Sequence, residues 1–351
     1  MPATFGTPLV RGSAYLPFVE FMEKIGAPVE RVLEKALVPA LVQRDPEAPV
    51  PVQLAHSFLD RSARAVGLPD FGFAVGEQAR IESLGAFGRS LRRSLTLHDA
   101  LGKLHSKFPL YSSAERIWWS RTGNDVHIFH AYTCETAAGS RYAQQCALLL
   151  LRDLVRLTAG PSWQPGEVLS PNPALDLGPV RKVFDGARLR QSEFTGIVFP
   201  AELLNRPMRW FWSGNECGDN YDQTAFESSA PAGDFAGSIK QVISALMNQG
   251  RCQLSDVAEA VGLHPRTLQR YLSESQEEYS DLLAEVRFET ALRLMSDPSV
   301  RVIDVAYELG YTDPANFTRA FRHWTGLKPS EFRRSQAPQR KSGSRTNTGH
   351  S

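Results

Sequence analysis

Residues 257–262 read VAEAVG and residues 305–310 read VAYELG, so one short pattern occurs twice near the end of the chain, 48 positions apart. Each copy places an alanine four residues before a glycine. In a helix-turn-helix, the small residue lets the second helix cross close to the first, and glycine ends the first helix at a positive φ. The sequence therefore predicts two helix-turn-helix motifs. Their turn residues are Ala258 and Gly262 in the first copy, and Ala306 and Gly310 in the second.

A recognition helix with one apolar face is predicted after each glycine. Leu268 and Leu272 are four residues apart, so they share one face of the first helix. Phe317 and Phe321 repeat this spacing in the second copy. Arginine can bind guanine and glutamine can bind adenine through two hydrogen bonds, and either can hold phosphate. The outward-facing candidates for DNA contact are Arg266, Gln269 and Arg270 in the first copy, and Thr318, Arg319 and Arg322 in the second.

The duplication is what favours DNA binding over a simpler explanation. One Ala-x-x-x-Gly pair is common in helical proteins, and one arginine contacts phosphate or solvent more often than a base. Two aligned copies, each followed by a basic helix with an apolar face, argue against chance. Residues 279–294 predict one continuous helix between them. Such a stiff helix could hold both recognition helices in adjacent major grooves, roughly 34 Å apart.

The second copy resembles the DNA-binding domain of the AraC/XylS transcription regulators, and the resemblance extends over about residues 235–335. The residues that carry it are Ile303, Val305, Ala306, Gly310, Tyr311, Asp313, Asn316, Phe317, Arg319, Phe321, Arg322, Gly326, Lys328, Pro329, Phe332 and Arg333. The resemblance implies that the first recognition helix reads bases. It assigns this role to Arg266, Gln269 and Arg270, and in the second helix to Pro314, Ala315, Thr318 and Arg319.

The two copies are therefore expected to contribute unequally. Pro314 and Ala315 cannot form two hydrogen bonds to a base, although Ala315 can meet a thymine methyl group. The second copy should thus anchor phosphate more than it reads bases, with Arg322 and Lys328 as phosphate contacts.

The first copy departs from the family pattern at both ends of its recognition helix. His264 stands where a serine or threonine usually caps the helix, and histidine is a poorer cap. Gln276 stands where a glycine usually follows the helix.

Charge in this region is balanced but segregated. Residues 235–336 hold 12 Lys and Arg side chains against 13 Asp and Glu. The acidic residues cluster at 274–289, whereas residues 317–334 hold five basic side chains and Glu331 alone as an acid. We therefore expect modest non-specific affinity for DNA, with specific binding requiring both motifs or a dimer.

The region before residue 210 predicts a mixed α/β domain. Helices are expected at 16–25, 51–66, 97–107 and 143–157, and a hairpin at 116–120 and 126–131. Residues 71–77, 84–88, 94–101, 183–184 and 197–199 resemble the arabinose-binding-type sensor domain of one AraC subgroup. The resemblance implies a domain that binds a small metabolite, which need not be arabinose, or that dimerises. It assigns no effector-binding residue.

The predicted architecture is an α+β sensor domain followed by an all-α domain with two helix-turn-helix motifs joined by a linker helix. Composition places an N-terminal tail at 1–14, an effector-sensing or dimerisation domain at 15–212, and a flexible linker at 213–234, rich in Gly, Ser, Asn, Asp and Pro. The DNA-binding domain follows at 235–336, and a disordered tail at 337–351.

Several function classes find no support in the sequence. Four cysteines without a CxxC pair favour reduced thiols and a cytoplasmic protein. No signal peptide, membrane span or hydrolase motif is recognisable. A fused zinc-bound methyl-accepting module would need four clustered cysteines, whereas the cysteines of this chain are scattered. We therefore do not expect an enzyme, a bound metal or a cofactor.

Two patterns leave alternatives open in the N-terminal domain. His127 and His130 lie three apart on a predicted strand, so they should face opposite sides rather than share a metal. The aromatic groups 118–119 and 210–212 are compatible with a ligand cage, but such residues are more often core on one face and partner contact on the other.

The sequence thus predicts a transcription regulator that binds double-stranded DNA. Activation, with RNA polymerase as a partner, follows from family habit, and a small-molecule effector and a homodimer are expected partners. One alternative is an effector-independent regulator whose N-terminal domain only dimerises. A DNA-binding protein fused to an unrecognised enzyme is a more remote alternative.

Overall fold

The structure is a computed structural model, and it describes residues 6–39, 44–172, 178, 180–208, 223–247 and 249–336. Its N-terminal region is α+β and its C-terminal region is helical, which confirms the predicted fold class. The N-terminal helices are α1 (Leu16–Lys24), α2 (Val29–Lys35), α3 (Val52–Val66), α4 (Phe71–Gln78), α5 (Gly85–Arg92), α6 (Leu97–Lys107) and α7 (Ser140–Ala159). The strands are β1 (Leu9–Arg11), β2 (Pro49–Pro51), β3 (Glu115–Thr122), β4 (Asp125–Tyr132), β5 (Glu167–Ser170), β6 (Arg188–Gln191) and β7 (Thr195–Pro200).

Five strands form the main sheet, in the order β3-β4-β7-β5-β6. The predicted hairpin is β3–β4, with Thr122 paired to Asp125. All neighbouring strands are antiparallel except β5 and β6, which are parallel. Ile117, Val126 and Ile128 alternate along β3 and β4 and are buried on the face that α6 and α7 cover. The core of this domain therefore lies between one face of the sheet and the helices.

Because side chains alternate along β3 and β4, the adjacent tryptophans 118 and 119 lie on opposite faces of the sheet, and so do the histidines 127 and 130. Trp119 packs edge-on against His98 of α6, whereas Trp118 contacts Phe129 on the outer face. His130 is buried on the inner face, and His127 stacks with Phe129 on the outer one. Neither pair can share a ligand, and the described ranges contain no cluster of three metal-binding side chains. The aromatic group 210–212 lies outside the described residues.

Strand β1 carries a buried arginine that ties the start of the chain to the region after the sensor domain. The side chain of Arg11 is fully buried and pairs with Glu47 at 3.2 Å. Its Nη1 also donates to Ser229 Oγ at 2.9 Å, and its guanidinium lies 4.1 Å from the ring centre of Phe226. Strand β1 pairs with β2, so Arg11 makes these contacts from a two-stranded antiparallel sheet.

Residues 223–234 differ from the flexible linker that their composition predicts. Gln223–Ser228 forms helix α8, and Phe226 is buried against the sensor domain. Gln241 then fixes the following segment, because its side chain accepts from Ala232 N at 2.9 Å and donates to Ala230 O at 2.7 Å. One aromatic anchor and these hydrogen bonds outweigh the flexible composition. Residues 213–222 lie outside the described part of the chain.

The C-terminal region consists of helices α9 (Phe235–Met247), α10 (Leu254–Ala260), α11 (Pro265–Glu274), α12 (Tyr279–Met295), α13 (Val302–Glu308), α14 (Pro314–Thr325) and α15 (Pro329–Gln336). The predicted linker helix is α12, one residue longer than expected. Among the described residues, Cys134, Cys146 and Cys252 are free thiols. No described helix is both long and apolar enough to cross a membrane. The terminal segments 1–5 and 337–351 lie outside the description.

Candidate nucleic-acid interface

The two helix-turn-helix turns repeat each other at the level of single hydrogen bonds. Ala258 and Ala306 are fully buried where the paired helices cross. Gly262 has φ +68° and Gly310 has φ +74°, a backbone conformation that favours glycine. In each turn the amide after the glycine donates to the carbonyl of the alanine, at 2.8 Å in the first copy and 3.0 Å in the second. The duplicated spacing in the sequence thus corresponds to a duplicated local geometry.

The first recognition helix, α11, is capped at both ends by unusual residues. The Nδ1 atom of His264 accepts a hydrogen bond from Arg266 N at 3.3 Å, so an imidazole takes the place of a serine or threonine cap. At the other end Gln276 has φ +60°. Its amide donates to Ser273 O at 3.0 Å and the next amide donates to Leu272 O at 2.9 Å, which is the Schellman pattern. Both family departures therefore keep the helix ends but use less suitable side chains.

The outer face of α11 presents all three predicted base readers to solvent. Leu268 and Leu272 are buried, which turns Arg266, Gln269 and Arg270 outward. Arg270 forms one loose ion pair, 3.7 Å from Glu274, and its side chain is 65% exposed. Since an exposed pair of this kind contributes little stability, Arg270 can exchange Glu274 for another acceptor.

The second recognition helix, α14, begins with a standard cap and a proline. The Asp313 carboxylate accepts from Ala315 N at 2.9 Å, and Pro314 occupies the first turn. Thr318 donates its hydroxyl to Pro314 O at 3.0 Å, and Arg319 donates to the Asn316 side chain. These readers are therefore engaged within their own helix.

Three of the remaining candidate side chains of the second copy reach solvent, and one is half-buried. Ala315, Arg322 and Lys328 are exposed, whereas Pro314 is half-buried. Phe317 and Phe321 are fully buried and hold α14 against α13 and α15. The exposed cations thus form a surface suited to phosphate, next to an apolar start of the helix.

Helix α12 is fixed to both motifs, a feature that the sequence reasoning missed. Tyr279, in its first turn, donates its hydroxyl to Cys252 O at 3.0 Å, immediately before α10. Arg287 donates to Leu309 O at 3.2 Å and lies 4.5 Å from the ring centre of Tyr311, in the second turn. The sequence predicted a continuous helix over residues 279–294 and assigned no role to either side chain. The arginine within that helix was the signal that could have indicated a contact with the second motif.

Comparison with known proteins agrees with this geometry. Residues 257–335 match the model of a helix-turn-helix domain. Residues 26–208 match the model of the N-terminal arabinose-binding domain of AraC transcription regulators, which is more than half of the chain. The chain belongs to the AraC family. It is a DNA-binding transcription regulator with an arabinose-binding-type N-terminal domain.

Full-length members of the family align over most of this chain. The regulator VirS of Mycobacterium tuberculosis is 23% identical, and the alignment covers 93% of this chain and 96% of VirS. The ornithine utilization regulator of Pseudomonas aeruginosa is 24% identical over 79% of this chain and 84% of that protein. Among solved structures, CdpR of Pseudomonas aeruginosa is 23% identical, with a TM-score of 0.38 over 87% of this chain and 97% of CdpR.

Proposed function

We propose that this protein is a cytoplasmic, effector-controlled activator that reads its operator mainly through α11 and anchors phosphate mainly through α14. The observation that carries the proposal is the difference between the two exposed faces. Arg266, Gln269 and Arg270 are exposed on α11, where Arg270 forms only the loose ion pair with Glu274 and a ring contact with Tyr271. In contrast, Thr318 and Arg319 are hydrogen-bonded within α14. Side chains that can form two hydrogen bonds to a base edge favour reading, and exposed cations beside an apolar helix start favour anchoring.

The assignment is tested by selecting duplexes that the full chain retains from a randomised pool, then measuring binding to the selected sequence and its point variants. Arg270→Ala should relax the preference at one base position and cost about 1–3 kcal/mol there. Arg322→Ala should weaken all sequences alike and reduce the salt dependence by about one counterion. Arg31→Ala, an exposed arginine on α2, is the matched control. Equal, sequence-independent losses from Arg270→Ala and Arg322→Ala would contradict the division of roles.

Control by an effector is supported by the route from the sensor core to the DNA-binding domain. Phe87 of α5 stacks on Tyr111 at 5.0 Å and on Phe226 of α8 at 6.5 Å. Helix α8 directly precedes the DNA-binding region, and Arg11 holds it in place. A ligand that binds one arrangement of this aromatic stack better than another would shift the population of DNA-competent molecules. Activation, with RNA polymerase as the partner, is proposed because it is common in this family. It is tested by transcription in vitro with and without the protein.

A homodimer is part of the proposal and has a candidate surface on the outer face of the sheet. Trp118 lies 5.3 Å from Phe129 and 4.8 Å from Phe194, measured between ring centres, and all three side chains are half-buried. Aromatic clusters of this kind are common at interfaces. Sedimentation of the full chain and of Trp118→Ser would test it. A dimer that survives the substitution unchanged would place the interface elsewhere.

A further inference from the structure

A cavity lies between the helices of the sensor domain and the inner face of β3 and β4. Its volume is about 90 Å³, several times the space that one water molecule needs. A neighbouring cavity of about 40 Å³ shares four wall residues with it: Ala14, Phe18, Glu115 and Ala143. Most of the larger wall is aliphatic or aromatic, with Leu104, Phe108 and Leu150 among its residues.

One carboxylate marks the polar end of this cavity. Glu115 is the only acidic residue in the wall, and neither cavity is lined by lysine or arginine. The Nε2 atom of His130 lies 3.0 Å from Glu115 Oε1. Burial by itself raises the pKa of Glu115, but the hydrogen bonds from His130 and Ser112 outweigh it, so the pKa lies below its ordinary value. The group is therefore ionised at neutral pH. A carboxylate has about four acceptor sites, more than its three donors His130, Ser112 and Tyr132 use.

Polar atoms around Glu115 are buried without a partner. Among the described residues, His130 Nδ1, His56 Nε2 and the Tyr15 hydroxyl form no hydrogen bond. These side chains are only 1–2% exposed. An unsatisfied buried polar atom costs about 1–3 kcal/mol. His130 lines the larger cavity, whereas His56 and Tyr15 line the smaller one, so the three atoms call for an occupant at the Glu115 wall that the two cavities share. Burial also lowers the pKa of His56, so that imidazole is neutral at pH 7 and supplies no positive charge to the carboxylate.

We propose that this cavity binds a small apolar molecule carrying one protonated amine, with the ammonium at Glu115 and the apolar body among Leu104, Phe108 and Leu150. The inference rests on the effector control proposed above and names the chemical class of the effector. An ammonium pairs with the buried carboxylate and can donate to the free imidazole nitrogen of His56. A carboxylate ligand would instead bring a second negative charge next to Glu115, and a polar body would lose its hydration against apolar walls.

The cavity wall is continuous with the contacts that hold the DNA-binding region. Phe87 and Tyr111 line the cavity and stack on each other. Phe87 also stacks on Phe226, and the guanidinium of Arg11 lies 4.1 Å from the ring centre of Phe226. An occupant that shifts Phe87 therefore acts directly on helix α8.

The test uses the full chain and three probes with the same six-carbon apolar body: hexylamine, 1-hexanol and heptanoate. Hexylamine should raise the melting temperature in a concentration-dependent way, 1-hexanol should do so weakly, and heptanoate should not. In Glu115→Gln, the affinity for hexylamine should fall about tenfold, to the level of 1-hexanol. Glu30→Gln, which removes an exposed carboxylate from α2, should leave all three responses unchanged. Leu104→Trp, which fills the cavity without altering its charge, should abolish binding of both hexylamine and 1-hexanol.

Three results would overturn the inference: heptanoate binding as tightly as hexylamine, a hexylamine response that persists in both Glu115→Gln and Leu104→Trp, or no response to any probe. Binding to selected operator DNA is measured on the same samples. If the protein binds operator DNA but responds to no probe, the proposed amine site is refuted and the proposed DNA-binding function is retained. If a probe binds in a Glu115-dependent way but does not change the affinity for operator DNA, the amine site is supported and control of DNA binding by an effector is contradicted.

Discussion

Replacing Gln276 by glycine should stabilise the protein. Gln276 adopts φ +60° at the end of α11. A left-handed backbone costs an L-residue about 1–2 kcal/mol. Glycine avoids this strain but loses about 0.5–1 kcal/mol more conformational freedom on folding. The expected net gain is therefore about 0.5–1 kcal/mol, and the two amides of the Schellman pattern keep their carbonyl partners.

This change is measured by thermal unfolding of the full chain, followed by far-ultraviolet circular dichroism. For a cooperative unit of about 100 residues, 1 kcal/mol corresponds to about 4–8 °C, so the transition that includes α11 should rise by about 2–8 °C. Gln276→Val is the matched counterpart and should lower it, because a β-branched residue tolerates positive φ poorly. Affinity for selected DNA should not change in Gln276→Gly. A melting temperature that is unchanged or lower in Gln276→Gly would refute the strain argument.

Three further predictions concern other parts of the molecule. Gly310→Val puts a β-branched residue at φ +74°, so it should lower the free energy of unfolding by more than about 1 kcal/mol and abolish operator binding, measured by urea titration and mobility shift. Arg287→Ala should cost about 1–3 kcal/mol and weaken DNA binding, whereas Arg293→Ala, exposed on the same helix, should do neither. The pKa of Glu115 is depressed in the fold, so its carboxylate stabilises the fold above pH 4.5, the ordinary pKa, and this contribution is lost as pH falls through the folded pKa. In Glu115→Gln, the free energy of unfolding should therefore decrease less steeply as pH falls through this range, measured by urea titrations at several pH values.

Local geometry was predictable from sequence because spacing encodes it. The separation of four between Ala258 and Gly262, repeated in the second copy, predicted both turns. The turn sequence at 122–125 between two strand-like stretches predicted the β3–β4 hairpin, in which residues 122 and 125 are paired. The sequence also showed that His264 and Gln276 depart from the residue types usual for the family at these positions. It did not show their roles, because capping through the Nδ1 atom of His264 and the positive φ of Gln276 depend on the backbone geometry of the fold.

Contacts between distant segments were out of reach. Arg11 meets Ser229 and Phe226 more than two hundred residues later, and no periodicity links them. That contact also explains why composition alone mistook residues 223–234 for a flexible tether. The candidate effector site was hidden for the same reason, because Glu115 and His130 become neighbours only across the antiparallel pair β3–β4.

The attachment of helix α12 to both motifs has a consequence for the operator. With Tyr279 bonded beside the first motif and Arg287 bonded in the second, the offset between the two recognition helices is a property of the folded domain. One base pair inserted between the two subsites would move them apart by about 3.4 Å and rotate them by about 34° around the duplex. A domain built this way cannot follow that change by flexing a linker. The length of DNA between the subsites should therefore be as strongly specified as the bases within them.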